Sequence, residues 1–270
     1  MRKDIKLLAI DLDDTLLRDD NTISDYTRTV LQKAQAAGIH IVIATGRMYQ
    51  TARPVGLTLG IGDLPMILFS GGLIQRIESG EIIWQRVIEP SIANEILALA
   101  KERNWYVQSY VDDVLLVHHE TEDSKLYERN TGAKAVFVGD ALYHTEKGPN
   151  KLLFINNGDT LATIAETLKE RFGDQLEIVR SKVNFLEINS TNSTKGNALS
   201  QMVAELGLTK EQVVAFGNSE NDVPMLHYAG TAVAVANAEA QVKAIATEVC
   251  ASNEDDGVAK WIEEHVLNKN

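Results

Sequence analysis

Four short apolar runs each stop abruptly at small or polar residues, and this repeated junction constrains the fold more than any other feature. "IKLLAI" (Ile5 to Ile10) runs into Asp11-Leu12-Asp13, and "IHIVIA" (Ile39 to Ala44) into Thr45-Gly46-Arg47. "MILF" (Met66 to Phe69) runs into Ser70-Gly71-Gly72. "VVAF" (Val213 to Phe216) runs into Gly217-Asn218-Ser219-Glu220-Asn221-Asp222. Continuous apolar runs of this length read as strands buried on both faces. Helical patterns separate them. "SDYTRTVLQKAQAAG" carries an N-cap at Ser24, an apolar stripe at Val30, Leu31, Ala34 and Ala37, and a stop at Gly38. "TKGNALSQMVAELG" reads likewise and ends at Gly207. Further strand-like runs follow at Thr231 to Val235 and Glu248 to Ala251. The alternation predicts an α/β fold with a doubly wound parallel sheet. In such a sheet, ligands bind at the carboxyl ends of the strands, where the polar clusters stand.

The middle of the chain has a different pattern. From about Trp84 to Glu187 it holds alternating strands such as "WYVQSYVDDVLLVHH" and two helical segments, near Ile92 to Arg103 and Thr160 to Phe172. Polar alternate positions suit an antiparallel sheet that is wet on one side. The expected organisation is therefore a Rossmann-like core from residues 1–84 and 188–270, interrupted by an α+β cap at 85–187.

With 270 residues and 44% apolar composition, the chain can bury a sizeable core. Lys and Arg number 26 against 38 Asp and Glu, a net charge of −12. That balance argues against nucleic acid or an anionic membrane as the main partner. A small anionic substrate would need local positive charge against the global field. Cys250 stands alone and cannot form an internal disulfide. The apolar run Leu7 to Ile10 is broken by Asp11, too short for a signal peptide, and no run approaches the roughly 18 residues of a membrane span. A cytoplasmic location is the expectation.

The clusters carry a specific chemical inventory. Carboxylates bind a hard cation such as Mg²⁺ through oxygen. A threonine hydroxyl, glycine N–H groups and a lysine ammonium are phosphate ligands. A second aspartate beside the first can handle protons. Together these are the parts of phosphoryl transfer, where positioning and charge neutralisation supply most of the catalysis.

The segments "DLDDTLL", "ATGR", "STKGNAL" and "GNSENDVPML" resemble the four motifs of the haloacid dehalogenase superfamily of phosphatases. Their order, their spacing and the mid-chain cap resemble its Cof-type sugar-phosphatase branch. The tail "AVAVANAEAQVKAIATEVCASNEDDGVAKWIEEHV" is similar to the C-terminal part of that branch.

The resemblance implies Mg²⁺-dependent hydrolysis of small phosphate monoesters, sugar phosphates above all, through an aspartyl-phosphate. Asp11 is then the nucleophile, and Asp13 gives a proton to the leaving oxygen and later takes one from water. Asp11 and Asp13, the latter through its backbone carbonyl, Asn218 and Asp222 are the implied metal set. Leu12, Thr45, the Gly46 N–H, Lys195 and Asn221 are the implied phosphate ligands. The implied partner is a small phosphorylated metabolite, selected by the cap.

Three positions depart from the family pattern. Asn218 replaces an aspartate that ligates metal, which predicts weaker metal binding; Asp14 replaces glycine, and Ser70 replaces asparagine. Two other readings stay open: a phosphosugar mutase, and a phosphometabolite-binding protein that has lost turnover through Asn218. Arg47 faces either a substrate phosphate or solvent. Arg180, Lys182 and Asn184 stand where the chain is expected to return from cap to core, within possible reach of a leaving group. His118 and His119 would point to opposite faces of a strand, a poor geometry for a metal pair.

Overall fold

The computed structural model describes residues 4–268, apart from the side chain of Lys182. They divide into two compact units. The first comprises the chain up to Arg47, Ala52–Trp84, and the chain from Thr194 onward; the second comprises Met48–Thr51 and Gln85–Ser193.

The first unit is built on one eight-stranded sheet. In chain order its elements are β1 (Leu7–Asp11), α1 (Asp25–Ala36), β2 (His40–Ala44), α2 (Tyr49–Thr58, which straddles the division), β3 (Pro65–Leu68), β4 (Leu73–Arg76) and β5 (Ile82–Gln85). The second unit contributes α3 (Pro90–Glu102), β6 (Val107–Val111), β7 (Val114–Val117), α4 (Glu122–Thr131), β8 (Ala135–Phe137), β9 (Lys151–Ile155), α5 (Gly158–Phe172), β10 (Leu176–Lys182) and β11 (Phe185–Ser190). The first unit resumes with α6 (Lys195–Glu205), β12 (Val213–Gly217), α7 (Val223–Tyr228), β13 (Thr231–Ala234), α8 (Ala240–Ile245), β14 (Glu248–Val249) and α9 (Gly257–Ile262).

The sheet order is β14-β13-β12-β1-β2-β3-β4-β5. The run from β14 to β3 is parallel, and β4 returns antiparallel to β3. The architecture is the doubly wound α/β core that the alternation predicts. Every residue of β1 and β12 is buried, as strands central to a parallel sheet must be. Ser24 caps α1 as expected, its hydroxyl accepting the Thr27 N–H at 3.0 Å. Among the described residues, no helix is long and apolar enough to cross a membrane.

The second unit is a six-stranded sheet in the order β10-β11-β9-β6-β7-β8. Its core joins Leu152, Phe154, Leu186 and Ile188 of the sheet to Ile96, Leu97 and Ala100 of α3 and to Leu161, Ile164 and Leu168 of α5.

Four expectations need correction. The second boundary lies at Ser193/Thr194 rather than 187/188, because β11 stays paired with β10 as far as Ser190 and with β9 as far as Ile188. The polar face of the sheet is not wet: Gln108, Tyr110 and Lys151 are all buried. They satisfy one another, the Tyr110 hydroxyl donating to Gln108 Oε1 at 3.0 Å and the Lys151 ammonium lying 3.6 Å from Glu187. Arg180 and Asn184 lie at the β10–β11 hairpin inside this unit, not at the return to the core, and the side chain of Lys182 is outside the described residues. His118 and His119 follow the end of β7, so strand alternation does not separate them; their Nδ1 atoms lie 2.6 Å apart.

Candidate active site

The carboxyl end of β1 does not continue as a regular helix. Leu12–Leu16 forms one wide turn, closed by the Leu17 N–H on the Leu12 carbonyl at 2.9 Å. Within it Asp13 is extended and Asp14 adopts φ 57°. A non-glycine residue in the left-handed region is strained by about 1–2 kcal/mol, which explains why glycine suits this position. The Asp14 carbonyl accepts Asn237 Nδ2 at 2.7 Å, and Asp14 is exposed.

Two of the four strand-end clusters meet at one lysine. Lys195 is the first residue of α6 and is fully buried, as is Asp222, while Asp11 is 4% exposed. The Lys195 ammonium donates to Asp11 Oδ1 and to Asp222 Oδ1, both at 2.6 Å. Burial alone would lower the lysine's pKa, but the two carboxylates overcome it and hold the ammonium above its usual range. One cation serves two buried anions. Burial, reinforced by the charge of Asp222, accordingly pushes the Asp11 carboxyl up to about 7.

The cluster at the end of β2 closes on Asp13. Thr45 is buried; its hydroxyl accepts the Arg47 N–H at 3.1 Å and lies 3.4 Å from Asp13 Oδ2. Arg47 does not face solvent alone: its Nε donates to both oxygens of Asp13 at 3.0 Å. A Cβ placed on Gly46 would lie 3.3 Å from Ser70 Oγ and 3.8 Å from Asn221 Nδ2, so the Asn221 amide stands beside the Gly46 backbone. The structure thus brings Asp11, Asp13, Thr45, Gly46, Lys195, Asn221 and Asp222 to one edge of the sheet. Leu12 is buried within the turn.

Asp222, expected to support the metal or its waters, is engaged by protein groups at both side-chain oxygens. Its Oδ1 takes Lys195, and its Oδ2 accepts the N–H groups of Asn218 and Ser219 at 2.9 and 3.1 Å. With both oxygens committed, Asp222 orients Lys195 and its own loop. Asn218 keeps its side-chain carbonyl at the site, where Oδ1 accepts the Thr15 hydroxyl at 3.3 Å.

The donor set fits a hard cation held by few protein ligands. Among the described residues no three His, Cys, Asp or Glu side chains converge as a metal cage. The Asp11 Oδ2 atom, however, takes no hydrogen bond among the described residues. Asp11 Oδ2 and Asn218 Oδ1 are oxygen donors, and Mg²⁺ characteristically uses one or two carboxylates and keeps several waters.

Close packing fixes these loops. Gly71 has φ 115°, and a Cβ there would lie 2.2 Å from the Thr194 carbonyl oxygen, just before Lys195. Gly71→Ala is expected to destabilise the fold by about 1–3 kcal/mol and to lower activity by displacing the start of α6. Chemical denaturation beside an activity assay checks this; an unchanged midpoint would show that the loop yields freely.

Sequence reasoning left Arg47 undecided, and its partner was not legible because the two residues are 34 apart in the chain. It also missed α4, whose capping box at Thr121 and Ser124 lies in a stretch without a strong apolar stripe.

Residues 8–262 match the family of haloacid dehalogenase-like hydrolases. The chain is 30% identical over 265 residues to the 5-amino-6-(5-phospho-D-ribitylamino)uracil phosphatase YcsE of Bacillus subtilis, covering 98% of this chain and 97% of that one. TM0651 from Thermotoga maritima superposes with a TM-score of 0.86 at 31% identity, covering 96% of this chain and 97% of that one. A haloacid dehalogenase-like hydrolase from Bacteroides thetaiotaomicron gives 0.88 at 26% identity, with 96% and 99% covered. Together with the strand-end geometry, these matches identify the chain as a member of the haloacid dehalogenase-like hydrolases, with the fold and the phosphoric monoester hydrolase character of that family.

Proposed function

We propose that the protein is a Mg²⁺-dependent phosphatase that hydrolyses small phosphate monoesters through an aspartyl-phosphate on Asp11. The observation that carries this reading is the Asp11 carboxylate itself. It is buried at a strand end, one oxygen is held by Lys195, and the other takes no hydrogen bond among the described residues.

The chemistry follows from those groups. Asp11 Oδ2 attacks phosphorus, the bond from phosphorus to the leaving oxygen breaks, and Asp13 supplies the proton that the leaving oxygen takes. Water then attacks the aspartyl-phosphate, gives its proton to Asp13 and frees Asp11. Lys195, Thr45 and the N–H of Gly46 stand where they can hold phosphoryl oxygens, with the Asn221 amide beside them. Asp222 keeps Lys195 directed at Asp11. Bound Mg²⁺, held by Asp11 and the Asn218 carbonyl, would offset the negative charge of Asp11 and of the phosphoryl oxygens.

The substrate class we favour is a phosphate ester on a polyhydroxylated carbon chain. The support is the relative named for a phosphoribityl compound. The second unit, with Gln85–Ser193, would act as the cap that selects the leaving group, and a cytoplasmic site of action belongs to the same reading.

Phosphate release from a panel of sugar and polyol phosphates, with Mg²⁺ and with EDTA, tests the proposal. Release that needs Mg²⁺ is expected, and no release from any ester would overturn it. Asn218→Asp restores a carboxylate at the metal and is expected to lower the Mg²⁺ concentration for half-maximal rate on the order of tenfold. Activity that appears only in Asn218→Asp would favour the binding-protein reading.

A further inference from the structure

Arg47 is fixed at both ends of its backbone. Its N–H donates to the Thr45 hydroxyl at 3.1 Å, and its carbonyl accepts the Phe69 N–H at 3.0 Å. From that anchor the side chain crosses to the turn after β1. Nε lies 3.0 Å from both oxygens of Asp13, and Nη2 adds a second bond to Oδ1. Nη2 also donates to Asn21 Oδ1 at 3.1 Å. The Thr45 hydroxyl approaches Asp13 Oδ2 from the same strand end.

This arrangement does more for direction than for stability. The Asp13 side chain is 46% exposed and that of Arg47 20% exposed, and a pair of that exposure contributes little to folding. A half-exposed carboxyl group is free to turn between rotamers. A planar guanidinium fork that engages both oxygens removes that freedom and sets the plane of the group; an ammonium, a point charge, does not.

We propose that Arg47 is a positioning residue that aims the Asp13 carboxyl group for proton transfer to the leaving oxygen. This rests on the reading of Asp13 as the proton-transfer group of a phosphatase. In the first half-reaction the bond from Asp11 to phosphorus forms, the bond to the leaving oxygen breaks, and the proton passes from Asp13 to that oxygen. An alkoxide cannot depart without the proton, whereas p-nitrophenolate is stable enough to leave unprotonated. Every contact with the phosphoryl group is common to the two kinds of ester. A role in aiming Asp13 therefore shows as a dependence on the leaving group.

The test compares kcat/KM, which reports the first irreversible step, for p-nitrophenyl phosphate and for the best alkyl phosphate of the panel, at saturating Mg²⁺. Arg47→Ala is expected to lose about 100-fold on the alkyl ester and less than about fivefold on the aryl ester. Arg47→Lys, which keeps the charge but not the fork, is expected to stay impaired on the alkyl ester alone. Added guanidinium ion is expected to restore part of the alkyl activity of Arg47→Ala. Equal losses on both esters, in both variants, would overturn the inference and place Arg47 on the phosphoryl group or in the fold. A wild type that turns over neither ester would overturn the phosphatase reading, and this inference with it.

Discussion

Asp11→Asn is expected to abolish phosphate release while leaving the fold at least as stable as the wild type. Under the proposed aspartyl-phosphate mechanism, losing the nucleophile should lower kcat by at least about 10³-fold. The stability prediction follows from the charge count around Lys195, where one cation faces two buried carboxylates. Burial raises the Asp11 pKa to about 7, above its ordinary value of 3.8. The folded protein therefore holds a proton that the unfolded chain releases, and stability falls as pH rises between those values. A neutral asparagine escapes that penalty. In EDTA, thermal denaturation should show Asp11→Asn matching the wild type at low pH and exceeding it above neutrality. A variant that melts below the wild type at pH 8 would show that Lys195 needs both charges.

Lys195→Met should have the opposite effect. Methionine preserves much of the length of the buried side chain but leaves Asp11 and Asp222 facing each other without a cation. Breaking a buried ion pair from one side destabilises by about 3–5 kcal/mol. Activity should vanish as well, and urea denaturation would measure the stability change. The double variant Lys195→Met with Asp222→Asn separates charge from packing. It removes one of the two anions left without a cation, so part of the lost stability should return. A double variant no more stable than the single one would trace the loss to packing.

The chain's sequence reveals the core and much of this site for a physical reason. Strands buried on both faces, such as Leu7–Asp11 and Val213–Gly217, are uniformly apolar, so the point where polarity begins marks the sheet edge. The residues at those points are brought together by topology, without knowledge of any side-chain contact. What stayed hidden was pairing. Arg47 with Asp13, and both oxygens of Asp222 with Lys195 and its own loop, depend on rotamers that no spacing encodes. The second unit was less legible because a buried polar face, with Gln108, Tyr110 and Lys151 satisfying one another, has the same alternation as a wet one.

The insertion between the two segments of the core also bears on how the chain folds. Lys195 meets Asp11 across 184 residues, and β1 lies beside β12 only after the whole second unit has been synthesised. Closing so long a loop carries an entropy penalty that grows only slowly with length, about 0.6 kcal/mol per doubling. An inserted unit that has already collapsed shortens the effective tether. The central pair of strands, and with it the lysine that joins Asp11 to Asp222, should therefore be among the last contacts made during synthesis. A chain cut short before Val213 would carry Asp11 on a strand without one of its two neighbours.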